Sequence, residues 1–358
     1  MAWTTVKDWA AAETVTAAMM DTYVSDNTQY LYDVRYGAGH RNVLVNPQME
    51  VWQAGTSLAI TSSATPQYLA DQWCHRRNGA TGATVSRQTG PTGQLYTLRV
   101  QRDSGNSNTT AIETMQPLET VESIKLAGQT CQLKLNLKAG ANFSATSSLV
   151  TIKVTYGTGT DQAAPASSWT GTTDALSTTQ AITTTATDYT FDSISIPSSA
   201  TQVQVYVSYT PVGTASTNDW IEIAGAQLTA GKMAAWERLP YAMQLQRCLR
   251  FYWQWGPWGG TQTYLATGQV WSATTAYVWV PWPVTMRRVP DVTFSAANDF
   301  SINSLSVSAN TSSIAASSIT VNGASINPVS SGMTVRDPMF LDNNQDKTNA
   351  AIYVNARL

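Results

Sequence analysis

The chain has 358 residues, 12% of them charged, and a formal net charge of −2 at pH 7. That charge content is about half the ~25% of an ordinary soluble domain. With no basic run along it, recognition of a phosphate backbone is excluded and nucleic acid is not an expected partner. No apolar stretch approaches the ~18 residues of a membrane-spanning helix. The opening MAWTTVKDWAAAET lacks a basic region followed by an apolar one, so neither membrane insertion nor a signal peptide is expected.

Residues 1–40 read as a first unit. Thr14 or Thr16 is placed to cap a helix running to about Tyr32, with Val15, Met19, Tyr23 and Tyr30 near one face and Met20, Val24 and Leu31 on an adjacent line. So short and apolar a helix needs a partner, either the body of the protein or copies of itself. Asp33 to Asn42 reads as a linker, its periodicity broken by Gly37 and Gly39.

Residues 41–236 form the second unit. Leu95 to Val100, Gln132 to Leu137, Val150 to Tyr156, Tyr189 to Ile196, Val203 to Tyr209 and Ile221 to Leu228 alternate with period two between Gly, Pro, Asn and Asp. This is the pattern of an antiparallel sandwich, and about eight strands over ~190 residues predict a jelly roll. The Ser- and Thr-rich stretch 139–188 reads as long surface loops with short edge strands.

Residues 237–358 form the third. Pro240 suits the first position of a helix in which Tyr241, Leu245, Cys248, Leu249 and Tyr252 make one apolar stripe. Thr263 to Val270, Ala276 to Trp282, Ser304 to Ser308, Ser318 to Asn322 and Ala350 to Arg357 then read as strands, with Asn322-Gly323 a hairpin turn. The fold class is therefore mainly β: a short N-terminal helix, a jelly-roll sandwich, a linking helix and a C-terminal β-sandwich.

Catalytic constellations are missing. The two histidines, His40 and His75, have no neighbouring carboxylate, and Cys74 and His75, adjacent on a strand, point to opposite faces. Asp342, Asn344 and Asp346 start like a calcium loop, but Lys347 stands where that loop needs Gly and Tyr353 where it needs Glu. The acid pairs Asp219/Glu222 and Glu119/Glu122 are the only glycosidase candidates, by proximity alone. Cys74, Cys131 and Cys248 lack metal or disulfide spacing and read as buried free thiols of a protein made in a reducing cytosol. No enzyme activity, cofactor or metal is expected.

The aromatics are the stronger lead. Trp253, Trp255 and Trp258, with Tyr264, lie in and beside a glycine-rich loop and are the candidate ligand-binding residues, since rings stack on the C–H faces of sugars. Trp271 and Trp279, inside strands, read as filling the core or a subunit interface.

Several segments carry a family resemblance. Asn46-Pro47-Gln48-Met49-Glu50-Val51-Trp52-Gln53-Ala54-Gly55-Thr56-Ser57 and Tyr68-Leu69-Ala70-Asp71-Gln72-Trp73 resemble the opening of the carbohydrate-binding-like jelly roll of tailed-phage tail-fibre proteins. Ile223 to Leu228 through Pro240 is similar to its close, Leu245 to Tyr252 to its L-x-x-C-x-R-Y-Y helix, and Pro283 to Pro290 to its P-V-x-M-R-x-x-P strand end. The chain departs from the family at Met49, where Phe is usual, and through its last 70 or so residues, which match little. Val15 to Met20, followed by Asp26-Asn27, resembles a virion-attachment segment, which makes Val15, Met19, Met20 and Tyr23 the attachment candidates. The resemblance implies a virion protein, a tail fibre or receptor-binding protein that attaches to the host. Its implied partners are other virion proteins, copies of itself in a homotrimer, and host surface glycan. A purely structural head-fibre, collar or tail-adaptor role and a polysaccharide depolymerase are the alternatives.

Overall fold

The computed structural model describes residues 4–5, 7–10, 12–28, 42–61, 65–77, 81–231, 235–257, 263–344, 347 and 349–358. The chain separates at Pro240/Tyr241 into two units, 1–240 with Leu358, and 241–357. In the first, Thr16 and not Thr14 caps the helix Ala17–Met20, its Oγ1 accepting from the Met19 amide at 3.2 Å. A π-helical turn, Asp21–Ser25, follows. The remainder of the helix expected to Tyr32 lies partly outside the described residues. The segment closes on itself: the Asn27 side chain bonds both ways to Thr4, and the Tyr23 ring packs edge-on against Trp9 at 6.1 Å.

Among the described residues twelve strands, more than the eight or so expected, build the jelly roll. One six-stranded sheet has the order β1 (Ser57–Ala59), β4 (Ala83–Thr89), β5 (Tyr96–Arg102), β12 (Trp220–Ala230), β7 (Thr130–Ala139), β10 (Thr187–Ser195). The other has β2 (Gln67–Tyr68), β3 (Cys74–Arg76), β6 (Ile112–Pro117), β11 (Gln202–Tyr209), β8 (Leu149–Gly157), β9 (Thr173–Ala181). All neighbours are antiparallel. The period-two residues Leu133, Leu135 and Leu137, Val150, Ile152 and Val154, and Val203, Val205 and Val207 meet in the core between the sheets. Within the Ser/Thr-rich stretch the edge strand β9 runs for nine residues where long loops with short edge strands were expected, while β10 follows the strand expected from Tyr189. Thr is β-branched, and at a sheet edge its outward side needs no apolar cover.

The segment 42–51 is buried yet belongs to no strand. Its backbone pairs with β12, Val43 N donating to Leu228 O at 3.1 Å and Pro47 O accepting from Ala226 N at 2.9 Å, and side-chain amides tie the rest. Asn42 Nδ2 donates to Ala226 O at 3.0 Å, and its Oδ1 accepts from Leu228 N at 3.1 Å. Gln116 exchanges two 2.8 Å bonds with the Val45 backbone. Asn46, at φ 50°, accepts from the Glu50 and Val51 amides and donates to Val51 O and Asp71 O.

A second buried device closes one end of the sandwich. Arg102 and Asp219 are fully buried and 3.3 Å apart. Asp219 also accepts from the Ser144 amide at 3.0 Å and hydroxyl at 2.7 Å, while Arg102 donates to the carbonyls of Val212 and Gly213.

In the second unit the helix Tyr241–Leu249 buries Gln244 and Cys248. Tyr241, expected on the apolar stripe, is 54% exposed, because the face turned inward runs through the i, i+4 pair Gln244–Cys248. Tyr252 has left the helix for β13 (Tyr252–Trp255). β13, β22 (Ile352–Asn355) and β16 (Asp291–Phe294) make a three-stranded sheet. A seven-stranded sheet has the order β18 (Ser308–Asn310), β17 (Phe300–Ser304), β21 (Pro338–Asn343), β14 (Tyr264–Val270), β15 (Ala276–Pro281), β20 (Gly323–Val329), β19 (Ser313–Thr320). Val278, Val280, Ile302, Ile326, Leu341, Ile352 and Val354 share the core of this sandwich. Ser304 to Ser308 is a turn between β17 and β18, not a strand, with Ser304 bonded across it to Val307. The expected hairpin forms one residue earlier than read: its turn is Val321-Asn322, and Gly323 opens β20, paired with Thr320.

Two stability predictions follow from these buried groups. Arg102→Met, which leaves the Asp219 charge without its cation, should cost about 3–5 kcal/mol in denaturant unfolding. His75 is fully buried with its Nδ1 3.0 Å from Thr114 Oγ1, and burial lowers its pKa to about 3. Between that value and its ordinary one, the unfolded chain binds a proton that the folded chain does not. Stability should therefore fall with falling pH, by up to ~1.4 kcal/mol per unit. His75→Gln should remove that component, measured as the difference between the two unfolding free energies from pH 7 to pH 4.

Candidate functional site

The candidate aromatics do not form one loop platform. Trp253 and Trp255 lie on β13, stacked at 5.5 Å and 21°, and Trp253 meets Trp282 edge-on at 5.7 Å. Both pack against the core of the second sandwich and serve as partly buried wall, not as a presented surface. Trp258 lies outside the described residues. Tyr264 is 58% exposed at the start of β14 and packs on Phe340 at 5.1 Å.

Around Tyr264 the seven-stranded sheet turns an aromatic face to solvent. Thr267 pairs with Phe340 and Gln269 with Tyr277, which puts these four on one side of β21, β14 and β15. Trp279, two residues beyond Tyr277, shares that side and pairs with Ser325. Trp271, just past the end of β14, is 68% exposed with its ring 5.8 Å from Tyr277. Trp271 and Trp279 are thus surface residues, so of the two places expected for them, core and subunit interface, the core is ruled out. The signal was in the strand itself: Ala276, Val278 and Val280 alternate with Tyr277 and Trp279, and only the first set is buried. Between the rings stand Thr267, Gln269, Ser325, Asn327 and Asn303, all uncharged. Gly323 is required here, since a Cβ on it would come within 2.7 Å of the Trp279 ring. The face thus offers flat rings with hydroxyls and amides between them.

A cleft of about 320 Å³ crosses the outer face of the second jelly-roll sheet, around Tyr206 and Gln204. Its polar groups are already paired with one another. Arg76 is bonded to Glu113, Lys153 to Asp174 at 2.7 Å, Thr155 to Asp174 at 2.6 Å, and Gln204 Oε1 accepts from the Ala166 amide at 3.1 Å. Tyr206 is held above its usual pKa, at about 12, by burial and by the Glu113 charge. A ligand here would have to break these bonds before making its own.

The remaining candidates are structural. Asp219 is the buried partner of Arg102, whereas Glu222 lies on the outer sheet face beside Arg99 at 2.6 Å and Lys138 at 3.7 Å. Glu122 pairs with Lys125. Asp342 accepts from Ser301; it is buried, and it lies on the same side of the sheet as Phe340, paired with Tyr264. His40 and Asp346 lie outside the described residues. All three cysteines are buried free thiols, and burial pushes Cys131 up to about 11. Among the described residues no group of three His, Cys, Asp or Glu side chains is placed to hold a metal. The motif residues have architectural duties. Asn46 staples its own segment, Gln53 bonds to Asp71, and Trp73 Nε1 donates to Asn46 O at 3.2 Å. Of the attachment candidates, Val15 and Met20 are exposed, while Met19 and Tyr23 are half-buried.

No protein-family profile matches the sequence, and no curated protein does. Solved structures give low-identity likenesses. A CBM4 structure is 17% identical, covering 52% of this chain and 98% of its own, with a TM-score of 0.33. The xylan-binding domain from CBM 22 is 19% identical over 49% of this chain and 100% of its own, at 0.31. The enzymatically active domain of tailspike protein 4 of bacteriophage CBA120 is 11% identical over 53% of this chain and 21% of its own, at 0.34. None of these likenesses assigns a function to the chain.

The division between wall and surface is directly measurable. Trp253→Ala should destabilise by roughly 3 kcal/mol, and Tyr264→Ser by no more than about 0.5 kcal/mol, in equilibrium unfolding followed by tryptophan fluorescence.

Proposed function

We propose that this protein is a phage virion structural protein, a tail-fibre or receptor-binding component that meets host surface glycan through the aromatic face of its second sandwich. The observation that carries the reading is the set of exposed rings Tyr264, Trp271, Tyr277, Trp279 and Phe340, interleaved with hydroxyls and amides. Sugars present flat C–H faces beside rings of hydroxyls, and rings fixed on strands bind them at little entropic cost. The motif resemblance from Asn46 to Pro290 supports the virion setting. In this reading the N-terminal segment joins the particle, and the exposed Val15, Met20 and Val24 are the surface it offers to a virion protein or to its own copies in a trimer.

A glycan surface and a subunit contact predict different behaviour of the same variant. Trp279→Ala with Tyr277→Ala should weaken binding to an array of bacterial surface polysaccharides by about tenfold or more, with unchanged sedimenting mass and unchanged unfolding. Undiminished binding would sink the proposal. A fall in mass would assign the face to contact between copies.

A further inference from the structure

One end of the second sandwich presents an apolar side chain from each of three loops. Gln269 of β14 pairs with Pro338 of β21, and Met339 of β21 with Ser304 of β17. The loops after β14 (271–275), after β17 (305–307) and before β21 (330–337) therefore meet at that end. Bonds run between them. Met333 N donates to Ala273 O at 3.3 Å, Ser330 N to Thr274 O at 3.0 Å, and Thr334 N to Ser306 Oγ at 3.0 Å. On these loops Trp271 is 68% exposed, Leu305 83% and Val335 51%.

Two further features narrow what such an end can meet. First, the loops spend their hydrogen bonds on themselves. The amides of Trp271 and Ser272 both donate to Thr275 O, that of Arg336 to Val270 O and that of Asp337 to Thr334 O. Backbone paired in this way can enter a medium of low polarity without carrying bare amides into it. Second, the three loops hold one cation and one acid, and these are placed differently. Arg336 is exposed, whereas Asp337 is half-buried, so the charge presented outward is positive.

We infer that this end of the second sandwich docks on a phospholipid bilayer with anionic headgroups. Trp271, Leu305 and Val335 enter the interface, and Arg336 meets the phosphates. A protein partner would have to match the shape of three separate loops and would find few loop amides left to pair with. A fluid bilayer needs neither. Trp suits the level between headgroups and acyl chains, having an apolar ring and a polar N–H. Leu and Val supply apolar area, and the cation adds attraction to an anionic surface. The site does not rest on the glycan reading, although Trp271 borders both surfaces.

The test is flotation of the full chain with vesicles of phosphatidylethanolamine and phosphatidylglycerol at about millimolar lipid, where even a marginal anchor is bound. The chain should float with them, and less well with phosphatidylcholine alone. Leu305→Glu with Val335→Glu should cut binding by about tenfold or more, with unfolding unchanged because both positions are exposed. Arg336→Asn, which keeps a residue suited to the φ of 77° there, should weaken binding to the anionic vesicles by about fivefold and leave phosphatidylcholine binding unaltered. Trp279→Ala with Tyr277→Ala should leave flotation intact, so failure here and failure of the aromatic face are read separately. The proposal is overturned if the chain does not float with the anionic vesicles, or if the double Glu variant floats as the wild type does. Absent flotation together with a lower sedimenting mass for that variant would overturn it and assign the loops to contact between copies.

Discussion

The jelly roll depends on pairing the backbone of a buried segment that belongs to no strand and meets β12 at only a few points. Residues 42–51 carry amides and carbonyls into the interior, where each unpaired group is costly. Asn42, Asn46 and Gln116 supply the missing partners. Asn42 does so by clamping the segment to Ala226 and Leu228 of β12, the strand inserted between β5 and β7. The irregular segment and the central strand are therefore fixed together. This gives a physical reason for Asn46, which opens the motif that otherwise suggests carbohydrate binding: its side chain completes the fold.

Both sandwiches use the same division of labour. Inward positions are aliphatic and supply the core, so the outward positions are released from packing and are free to differ. On the second sandwich they became a row of rings between short polar side chains. On the second jelly-roll sheet they line a cleft instead. Around Tyr206 the charged groups Arg76, Glu113, Lys153 and Asp174 are paired within the protein.

Low charge is the corollary. Where surfaces are built from Ser, Thr, Asn and Gln, the few ions are placed for specific duties. Arg102 and Asp219 hold loops at one end of the jelly roll. Arg99 and Lys138 flank both Glu222 and the Trp220 ring, the guanidinium 4.1 Å and the ammonium 5.5 Å from its centre. Such partly sheltered groups work by positioning and not by long-range field.

The sequence by itself determined the strands and their inward faces. Alternation at Leu133 to Leu137 or Val203 to Val207 is a local property, and the chain cannot bury one set without exposing the other. The hairpin turn around Asn322 and the helix after Pro240 are local in the same sense. Only the tertiary structure decided which strands are neighbours. Phe340 meets Tyr264 because β21 pairs with β14, about seventy residues away in the chain, and no local pattern encodes that pairing. For the same reason the sequence misplaced Trp253 and Trp255 and left Trp271 and Trp279 between core and interface. A ring's role depends on whether a second sheet covers its side of the strand, and the cover comes from distant residues.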